Sequence, residues 1–413
     1  MKLLVVGHPF LLAYNQRKYA AMKKQDKDLQ LRMLVPNRGC DRFHVTDFQI
    51  HDDLSLEEVV ALKPYLRATH MTYVHAPTPI ATIMRHFRPD VIHIEEEPQA
   101  FITLETIALR DAYAPDAAVS LFTWDNILRL RQFPLGLAKH KLRAYALRRS
   151  SLTVCGNQEA AELLEREGLF HGQVEVIPQY GIDAAEHAPR SEAELRRQLG
   201  LEDSTVIGYI GQLVERKGLR LLFEALERLG HRRWKLLLVG SGPLEAEIRE
   251  CWMPKLPGRV VLVPAVPYEE VPRYFRCLDI FVLMSQTIST WKEQFGLALA
   301  QAMMCGVACV GSNCGAIPDT LGPGGSIVEQ RDAEGLERAL ESFLASEECR
   351  ARAGKEGRDY ALQKYSLECV TARYLGAFYK ARQEKASAAK TGKRVFAMNS
   401  GARKAQDIPV RHS

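Results

Sequence analysis

The sequence TWKEQFGLALAQAMMCGVACVGSNCGAIPD, residues 290–319, decides the fold of this chain. Its pattern predicts a loop, a helix that Gly296 opens and Gly306 ends, and then a short buried strand over 307–311. Glu293 therefore lies just before a helix N-terminus, where unpaired N–H groups and the positive end of the helix dipole favour an anion. This stretch predicts a site for a phosphate-like group beside a fixed carboxylate.

A second motif follows the strand predicted over 206–210. The sequence GQLVERKG, residues 211–218, places Lys217 directly before a glycine, and an apolar helix face comes next. The ammonium of Lys217 can neutralise an anionic group, whereas Gln212 can only donate neutral hydrogen bonds. An exposed loop lysine is the alternative, but the spacing between the two glycines favours a binding role.

These motifs resemble those of the retaining glycosyltransferases of family four, which have the GT-B architecture of two facing Rossmann-like, doubly wound α/β domains. The resemblance covers most of the chain and is specific over about 211–319, including Glu293-Gln-Phe-Gly296 and Gly315-Ala-Ile-Pro318. It implies a transferase that moves a sugar, expected to be a hexose, from a nucleotide diphosphate sugar to an acceptor. The implied pathways are glycan, polysaccharide or glycolipid biosynthesis, and the implied stereochemistry is retention.

The resemblance also implies roles for individual residues of this chain. Glu293 would hold sugar hydroxyls and Lys217 would stabilise the leaving diphosphate, so these two are the catalytic candidates. The other donor-binding candidates are Gly211, Gln212, Arg216, Val266, Phe295, Gly296, Leu297 and Gln301. No cofactor is implied, since the nucleotide sugar is a substrate. No metal requirement is expected either, since no Asp-x-Asp-type pair stands at a strand end.

Three positions depart from the family pattern. Gln212 stands where an arginine is usual, Gln301 stands where a second glutamate would contact the ribose, and no histidine lies near Asp125. Gln301 can still accept a hydrogen bond but carries no charge. We therefore expect an active transferase with a weakened donor site. The alternative is a non-catalytic nucleotide-sugar-binding relative of the same fold.

A nucleotide-dependent dehydrogenase is a more distant alternative, because doubly wound sheets serve that chemistry too. It requires a G-x-G-x-x-G motif after a first strand. Gly7 stands alone after the first predicted strand, and Gly240 with Gly242 lacks the third glycine. The sequence therefore favours sugar transfer over hydride transfer.

Short apolar runs alternate with longer helical patterns along the first half of the chain. The predicted strands cover residues 3–6, 32–35, 91–94, 119–122, 152–155 and 174–177. This alternation predicts a parallel, doubly wound sheet, in which ligands bind beyond the carboxyl ends of the strands. The loops after residues 6, 94 and 122 are therefore expected to face a ligand.

Those loops supply the acceptor-side or cleft candidates His8, Asn15, Glu95, Trp124 and Asp125. Amides and carboxylates can bind sugar hydroxyls, and a tryptophan ring can stack on a sugar face. Four of them have a structural alternative. His8 can be a satisfied structural histidine, Asn15 can cap a helix, Glu95 can belong to a solvated acidic loop with its two neighbours, and Trp124 can be a core residue.

The expected domain order is an N-terminal acceptor-side Rossmann-like domain (1–180), a C-terminal nucleotide-sugar-binding one (181–365), a helix crossing back (366–386) and a tail without fixed structure (387–413). Ser366 is expected to cap the crossing helix, whose apolar residues Val370, Tyr374, Ala377, Phe378 and Ala381 share one face. Ser191 and Glu194 have the spacing of a capping box for an earlier helix.

Composition sets the expected location and partners. The 413 residues carry a formal net charge of +5, which does not argue for nucleic acid, and no apolar run is long enough to span a membrane. Nine cysteines without paired C-x-x-C motifs indicate reduced thiols in a cytoplasmic protein. The expected partners are a nucleotide sugar and a sugar, a lipid-linked molecule or another small acceptor.

The basic segment 129–149 has two interpretations. A solvated helix face is favoured, and a patch for anionic lipid or a charged acceptor is the alternative. The second would place the protein peripherally at the inner face of a membrane. The sequence leaves open the donor sugar and nucleotide, the acceptor, the linkage and the oligomeric state.

Overall fold

The computed structural model describes residues 1–40, 45–66, 72–127, 135–170 and 172–390. Strands and helices alternate along the first half of the chain. In order they are β1 Lys2–Val6, α1 Ala13–Gln25, β2 Gln30–Pro36, β3 Arg38–Cys40, β4 Val45–Asp47, β5 Val59–Leu62, β6 Pro64–Leu66, β7 Val74–His75, α2 Pro77–Phe87, β8 Val91–Ile94, α3 Phe101–Tyr113, β9 Ala118–Thr123, α4 Leu135–Leu147, β10 Leu152–Cys155, α5 Gln158–Glu167 and β11 Gln173–Val176.

The second half repeats the alternation and ends in three long helices. Its elements are α6 Ala193–Gln198, β12 Thr205–Ile210, α7 Leu219–Arg228, β13 Trp234–Val239, α8 Glu245–Glu247, β14 Val260–Val263, α9 Val271–Arg276, β15 Ile280–Leu283, α10 Leu297–Met304, β16 Ala308–Ser312, α11 Ile317–Leu321, β17 Gly325–Val328, α12 Ala333–Ala345, α13 Glu347–Tyr365 and α14 Leu367–Lys390.

Two large parallel sheets have the same winding order. The first runs β11-β10-β9-β8-β1-β2-β5 and the second β14-β13-β12-β15-β16-β17, while β3 with β4 and β6 with β7 form small antiparallel pairs. In each large sheet the chain builds outward on one side of its first strand and then returns to build on the other. This reversal leaves a crevice beyond the carboxyl ends of β1 and β8, and another beyond β12 and β15, where doubly wound folds bind ligands.

The predicted two-sheet α/β architecture is confirmed, and the predicted strands of both sheets agree with the observed ones to within one or two residues. The sequence did not indicate the edge strands β5 and β17. Strand β17 is short, begins with a glycine and leaves Ile327 43% exposed, so it lacks the buried apolar run that marks the central strands.

Both faces of the first sheet are buried, as parallel sheets require. Leu3 and Val5 of β1 belong to a core shared with α1 and α14, whereas Leu4 and Val6 belong to a core on the opposite face. Helix α14 follows the strands of the second sheet in sequence but packs on the first. Its predicted apolar face is confirmed, because Val370, Tyr374, Ala377, Phe378 and Ala381 are all buried.

A buried ionic network holds α14 against the first sheet. Lys18 of α1 and the hydroxyl of Tyr19 both donate to Glu95 Oε1, and His93 Nε2 lies 3.2 Å from the same oxygen. The ammonium of Lys18 also lies 4.1 Å from the ring centroid of Tyr374 on α14. Burial alone would raise the pKa of Glu95, but Lys18 and His93 outweigh it and lower the pKa to about 2.

Glu95 was expected to face a ligand, and that prediction is wrong. Its side chain is fully buried, because the cation of Lys18 lies inside the domain and draws the carboxylate inward. The predicted capping box is also wrong, since α6 begins after Glu192, which makes no cap and pairs instead with Arg276 at 2.6 Å. Ser366 does cap α14, accepting from Cys369 N at 3.2 Å.

The predicted tail begins too early, because α14 continues through Lys390. The rest of that segment, 391–413, lies outside the described residues. Among the described helices, none combines the length and apolar character that a membrane crossing requires. The eight cysteines whose side chains are described are all free thiols.

Replacing Lys18 with methionine should destabilise the protein by about 3–5 kcal/mol, because Glu95 would stay buried without its cation. Lys24→Met on the same helix is the matched control. Lys24 pairs with Asp53 at the surface, where solvent screens the two charges, so its loss should change stability little. Urea unfolding of both variants measures the difference, and equal small losses would show that the buried network does not stabilise the fold.

Candidate functional site

An ion pair crosses the crevice of the second sheet. Lys217 lies in the loop after β12 and Glu293 in the loop after β15, and Lys217 Nζ is 2.6 Å from Glu293 Oε2. The side chains of Lys217 and Glu293 are 18% and 10% exposed, so the pair is mostly buried at the entrance of the crevice. The strand reversal thus brings together two residues that are 76 positions apart.

Glu293 is held in place on both sides. The hydroxyl of Ser285, at the end of β15, donates to the same carboxylate oxygen at 2.6 Å, and the Glu293 carbonyl accepts from Ala316 N at 3.0 Å. Gly315 packs directly on this carbonyl with φ 56°, and a Cβ there would lie 2.1 Å from the oxygen. Only glycine therefore allows the two loops to approach so closely.

The loop of residues 211–218, which contains Lys217, is fixed against the end of β15 as well. Gly218 has φ 73°, and a Cβ on it would meet the Met284 carbonyl oxygen at 2.0 Å. Gln286 N donates to the Arg216 carbonyl at 2.7 Å, which joins this loop to the segment that leads to Glu293. The side chain of Arg216 donates to Gln212 Oε1 at 3.2 Å.

Trp291 lies beside both cations of this loop, which the sequence did not indicate. Its ring centroid is 4.9 Å from Lys217 Nζ and 5.0 Å from the guanidinium carbon of Arg216. A two-residue bridge between Ile288 and Trp291 closes the loop that carries the ring. The indole thus makes cation–π contacts with Lys217 and Arg216, the same two cations that would attract a bound anion.

Gln301 lies in α10, whose N-terminal cap is Gly296, but its amide is already engaged by other side chains. Gln301 Nε2 donates to the Tyr268 hydroxyl at 2.5 Å and to His187 Nε2 at 3.3 Å. His187 Nδ1 faces the Asp183 carbonyl at 3.0 Å, an oxygen that can only accept. His187 is therefore protonated on Nδ1, and burial lowers its pKa.

Several contacts join the two sheets around this site. Asn126 Nδ2 donates to the Glu293 carbonyl at 3.1 Å, and Asn157 Nδ2 donates to the Gln294 carbonyl at 2.8 Å. Gln294 Nε2 donates in turn to the Trp124 carbonyl at 3.2 Å. The loops after β9 and β10 therefore meet the segment that leads into α10.

A second inter-sheet contact lies further along the cleft. The Tyr14 hydroxyl, in α1, donates to the Tyr268 hydroxyl at 2.8 Å, and the ring centroids are 3.8 Å apart. Arg17, one turn later, makes a bidentate ion pair with Glu186. Tyr268 also contacts Gln301. The Tyr14–Tyr268 pair therefore connects the first domain to the part of the second domain where the nucleotide is expected.

The first-sheet candidates have varied environments. Asn15 Nδ2 donates to the Pro9 carbonyl at 2.6 Å and is not the helix cap, which is Leu12. Trp124 is half-buried, with its indole N–H donating to Gln179 at 2.9 Å. Asp125 Oδ2 accepts from Gln99 at 3.1 Å. Asp125 therefore remains at the cleft, whereas Asn15 mainly shapes the loop before α1.

Glu97 is a carboxyl that the sequence did not single out. It accepts from the Thr123 hydroxyl at 2.7 Å and from Trp124 N at 2.9 Å. Burial and the neighbouring Asp125 raise the pKa of Glu97 to about 8, which exceeds the lowering by these hydrogen bonds and by Arg143. The environment of Glu97 therefore favours its protonated form more than water does.

The structure describes the basic segment from Leu135 onward. This part is not simply the solvent-exposed helix face that the sequence favoured. Lys139, Lys141 and Arg148 are exposed, but Arg143 is 6% exposed and donates to Glu167 at 2.9 Å. Arg143 turns inward because two carboxylates, Glu167 and Asp125, lie on that side. Residues 129–134 of the segment lie outside the described ranges.

Comparison with known proteins gives a family match. Residues 191–360 match the model of the family described as glycosyl transferases group 1. A GDP-mannose-dependent alpha-(1-6)-phosphatidylinositol monomannoside mannosyltransferase of Mycolicibacterium smegmatis is 31% identical over 47% of this chain and 53% of its own length. A 2-deoxystreptamine N-acetyl-D-glucosaminyltransferase of Streptomyces fradiae is 28% identical over 71% of this chain and 72% of its own. The chain spans about half the length of several curated relatives that it matches.

The fold is shared with solved structures at low identity. The Anabaena protein HepE in complex with UDP superposes with a TM-score of 0.69, covering 92% of this chain and all of its own, at 17% identity. Such a likeness establishes the two-domain fold and carries no residue roles.

Gln301→Glu should raise the pKa of His187, because a carboxylate would replace the amide hydrogen that His187 Nε2 now accepts. An NMR titration of the imidazole measures this. Gln301→Met, which removes the same hydrogen bond without adding a charge, is the control and should raise the pKa less than Gln301→Glu does. An unchanged pKa in Gln301→Glu would mean that the two side chains do not contact in solution.

Proposed function

We propose that this chain, whose residues 191–360 match the model of the glycosyl transferases group 1, transfers a sugar from a nucleotide diphosphate sugar to an acceptor hydroxyl. The ion pair of Lys217 with Glu293 is the observation that carries this proposal. It lies at the strand reversal of the sheet that the family match covers, where doubly wound sheets bind nucleotides.

In the proposed donor site, cationic groups bind the diphosphate of the substrate and a carboxylate binds its sugar. Lys217, with Arg216 nearby, would bind the diphosphate, and the N–H groups of Phe295, Gly296 and Leu297 at the start of α10 would add hydrogen bonds. Glu293 would accept from sugar hydroxyls. A leaving diphosphate gains negative charge as the glycosidic bond breaks, so a fixed ammonium stabilises the transition state more than the ground state.

The nucleotide would lie between β12 and α10, with its ribose toward Gln301 and its base near Val266. Because the Gln301 amide hydrogens already go to Tyr268 and His187, its carbonyl oxygen is the group offered to a ribose hydroxyl. A glutamate would accept two hydroxyls where this oxygen accepts one. The donor site is accordingly proposed to be weak, as Gln301 and Gln212 both lack a charge.

Lys217→Ala should weaken binding of a nucleoside diphosphate by about 1.5–3 kcal/mol, the range for a charge-assisted hydrogen bond. Lys355→Ala is the control, since Lys355 pairs with Asp359 on the exposed side of α13. Isothermal titration calorimetry measures both variants. Unchanged affinity in Lys217→Ala would place the diphosphate elsewhere.

The finer parts of the proposal are retention and a hexose as the transferred sugar. They are tested by NMR of the product, whose anomeric proton coupling distinguishes the two configurations. No metal takes part in the proposed reaction, so turnover is expected to survive chelation with EDTA. The non-catalytic alternative would hold if the wild type neither bound nor hydrolysed common nucleotide sugars while Gln301→Glu did both.

We also propose cytoplasmic location with peripheral contact to an anionic membrane through α4. Lys141 of α4 and Arg148, directly after it, are exposed and lie about one and about three helical turns from Leu137, which is 48% exposed. One relative is named for a phosphatidylinositol-linked acceptor and another for a small aminocyclitol, so both lipid-linked and soluble acceptors fit the family.

Vesicles containing phosphatidylserine should sediment the protein at low salt and release it as salt rises, because each cation near the surface contributes about 1 kcal/mol. The double variant Lys141→Gln with Arg148→Gln should sediment less. Arg338→Gln with Arg352→Gln, on α12 and α13, is the control of equal charge loss. No sedimentation of the wild type would favour a soluble acceptor.

A further inference from the structure

Three consecutive residues before α10 are each held by a residue of the first domain. The contacts are Lys292 Nζ with Glu159 Oε1 at 2.5 Å, Asn126 Nδ2 with the Glu293 carbonyl at 3.1 Å, and Asn157 Nδ2 with the Gln294 carbonyl at 2.8 Å. Glu293 supplies the carboxylate of the proposed donor site. The first domain therefore holds the backbone that carries this carboxylate, and the residue on each side of it.

The three first-domain residues form one network. Asn126 follows β9, Asn157 caps α5, and Glu159 lies in the first turn of that helix. Asn126 Nδ2 also donates to Glu159 Oε2 at 3.0 Å, so the carboxylate accepts from Asn126 through one oxygen and pairs with Lys292 through the other. The network is therefore continuous from the start of α5 to residues 292–294.

Asn157 uses both ends of its amide. Its Oδ1 accepts from Ala160 N at 2.8 Å, which caps α5, while its Nδ2 donates to the Gln294 carbonyl. A backbone N–H can only donate and a carbonyl can only accept, so the amide has one orientation here. Asn157 and Asn126 are both buried. Apolar side chains could also dock the domains, but only directional hydrogen bonds fix where two backbone carbonyls lie.

The groups proposed for the diphosphate are held within the second domain instead. The Phe295 carbonyl accepts from the Thr320 hydroxyl of α11 at 2.5 Å, and Gly296, with φ 76°, leads the chain into α10. Lys217 lies in the loop that packs on the end of β15. The diphosphate groups thus depend on one domain, whereas the segment that carries Glu293 depends on both.

The ion pair of Lys292 with Glu159 lies where acids of the two domains face each other. Burial raises the pKa of Asp319 in α11, and the negative charges of Glu159 and Glu162 raise it further. Lys292 supplies a cation beside these acids, so it offsets a repulsion that would otherwise separate α5 from the second domain.

We propose that Asn126, Asn157 and Glu159 are positioning residues for Glu293. This inference rests on the proposed sugar transfer. By holding residues 292–294, they set the carboxylate where it meets the sugar of the donor. A displacement of about 1 Å is enough to lose much of the orientation that a reaction requires. The first domain thus sets the position of a sugar-binding group that the second domain supplies.

The first experiment separates positioning from helix capping. Asn157→Asp keeps an oxygen for Ala160 N but turns a second oxygen toward the Gln294 carbonyl, which repels it. Asp332→Asn, the reverse exchange at the cap of α12, is the control. The probe is the member of a panel of UDP-, GDP-, ADP- and dTDP-hexoses that raises the melting temperature of the wild type most, together with its nucleoside diphosphate.

Turnover of this nucleotide sugar and affinity for both ligands are then measured. We expect Asn157→Asp to lower turnover by about 10- to 100-fold, with affinity for the nucleoside diphosphate within about twofold of the wild type. The reason is that the displaced carboxylate belongs to the sugar and not to the diphosphate. Asp332→Asn should leave turnover and both affinities unchanged.

The second experiment tests the ion pair as a pair. Glu159→Gln and Lys292→Met should each lower turnover by about tenfold, and the double variant should lower it no further, because all three remove the same contact. Glu162→Gln on the same helix is the control, since Glu162 pairs with Arg166 at the surface. Glu159 and Lys292 are partly exposed, so this test holds even if Asn157→Asp fails to fold.

The outcomes separate the inference from the proposed function. Wild-type turnover in Glu159→Gln and Asn157→Asp overturns the inference while the proposed function stands. Equal losses of affinity for the nucleoside diphosphate and the nucleotide sugar also overturn it, because the whole donor site would then be disturbed. Losses that multiply in the double variant show that Glu159 and Lys292 act separately, which removes the ion pair from the inference. A wild type that binds no member of the panel, or binds without turnover, overturns both.

Discussion

The whole structure depends on one topological constraint, the reversal of strand order at the centre of each parallel sheet. Two loops leave neighbouring strands in opposite directions and cannot cover the crevice between them. In this chain each crevice is spanned by a polar pair, the ion pair of Lys217 with Glu293 on the second sheet and the hydrogen bond of His8 with Glu96 on the first. The charged groups of the cleft are therefore positioned by the fold, and glycines such as Gly218 and Gly315 let the loops approach closely enough.

The pair on the second sheet suits the proposed donor, because an ammonium beside a carboxylate can bind an anionic leaving group and a sugar. The inter-sheet hydrogen bonds from Asn126, Asn157 and Gln294 hold the loops of the first sheet against the segment that carries Glu293.

Sequence patterns predicted the features that depend on local chemistry. Buried apolar runs located the central strands, and the spacing of Val370, Tyr374 and Phe378 located the buried face of α14. The motif before α10 identified Glu293, and the two glycines around Lys217 identified its loop. These residues could be located from the sequence because, in a doubly wound sheet, the ends of strands and the starts of helices lie together at the crevice.

Features that depend on distant partners could not be predicted in the same way. Glu95 and Glu96 are adjacent in sequence, yet Lys18 draws the first into the core while His8 and Tyr73 hold the second at the crevice. Likewise, no local signal indicates that the Gln301 amide is engaged by Tyr268 and His187. These outcomes depend on which side chains the completed fold brings together.

The central claim is that the crevice of the second sheet binds the nucleotide donor. Amide hydrogen exchange, measured with and without the nucleoside diphosphate that raises the melting temperature most, tests it directly. The account predicts protection concentrated in residues 211–218 and 293–301, with little change at α2 and α12. Protection elsewhere, or no stabilisation by any nucleoside diphosphate, would contradict it.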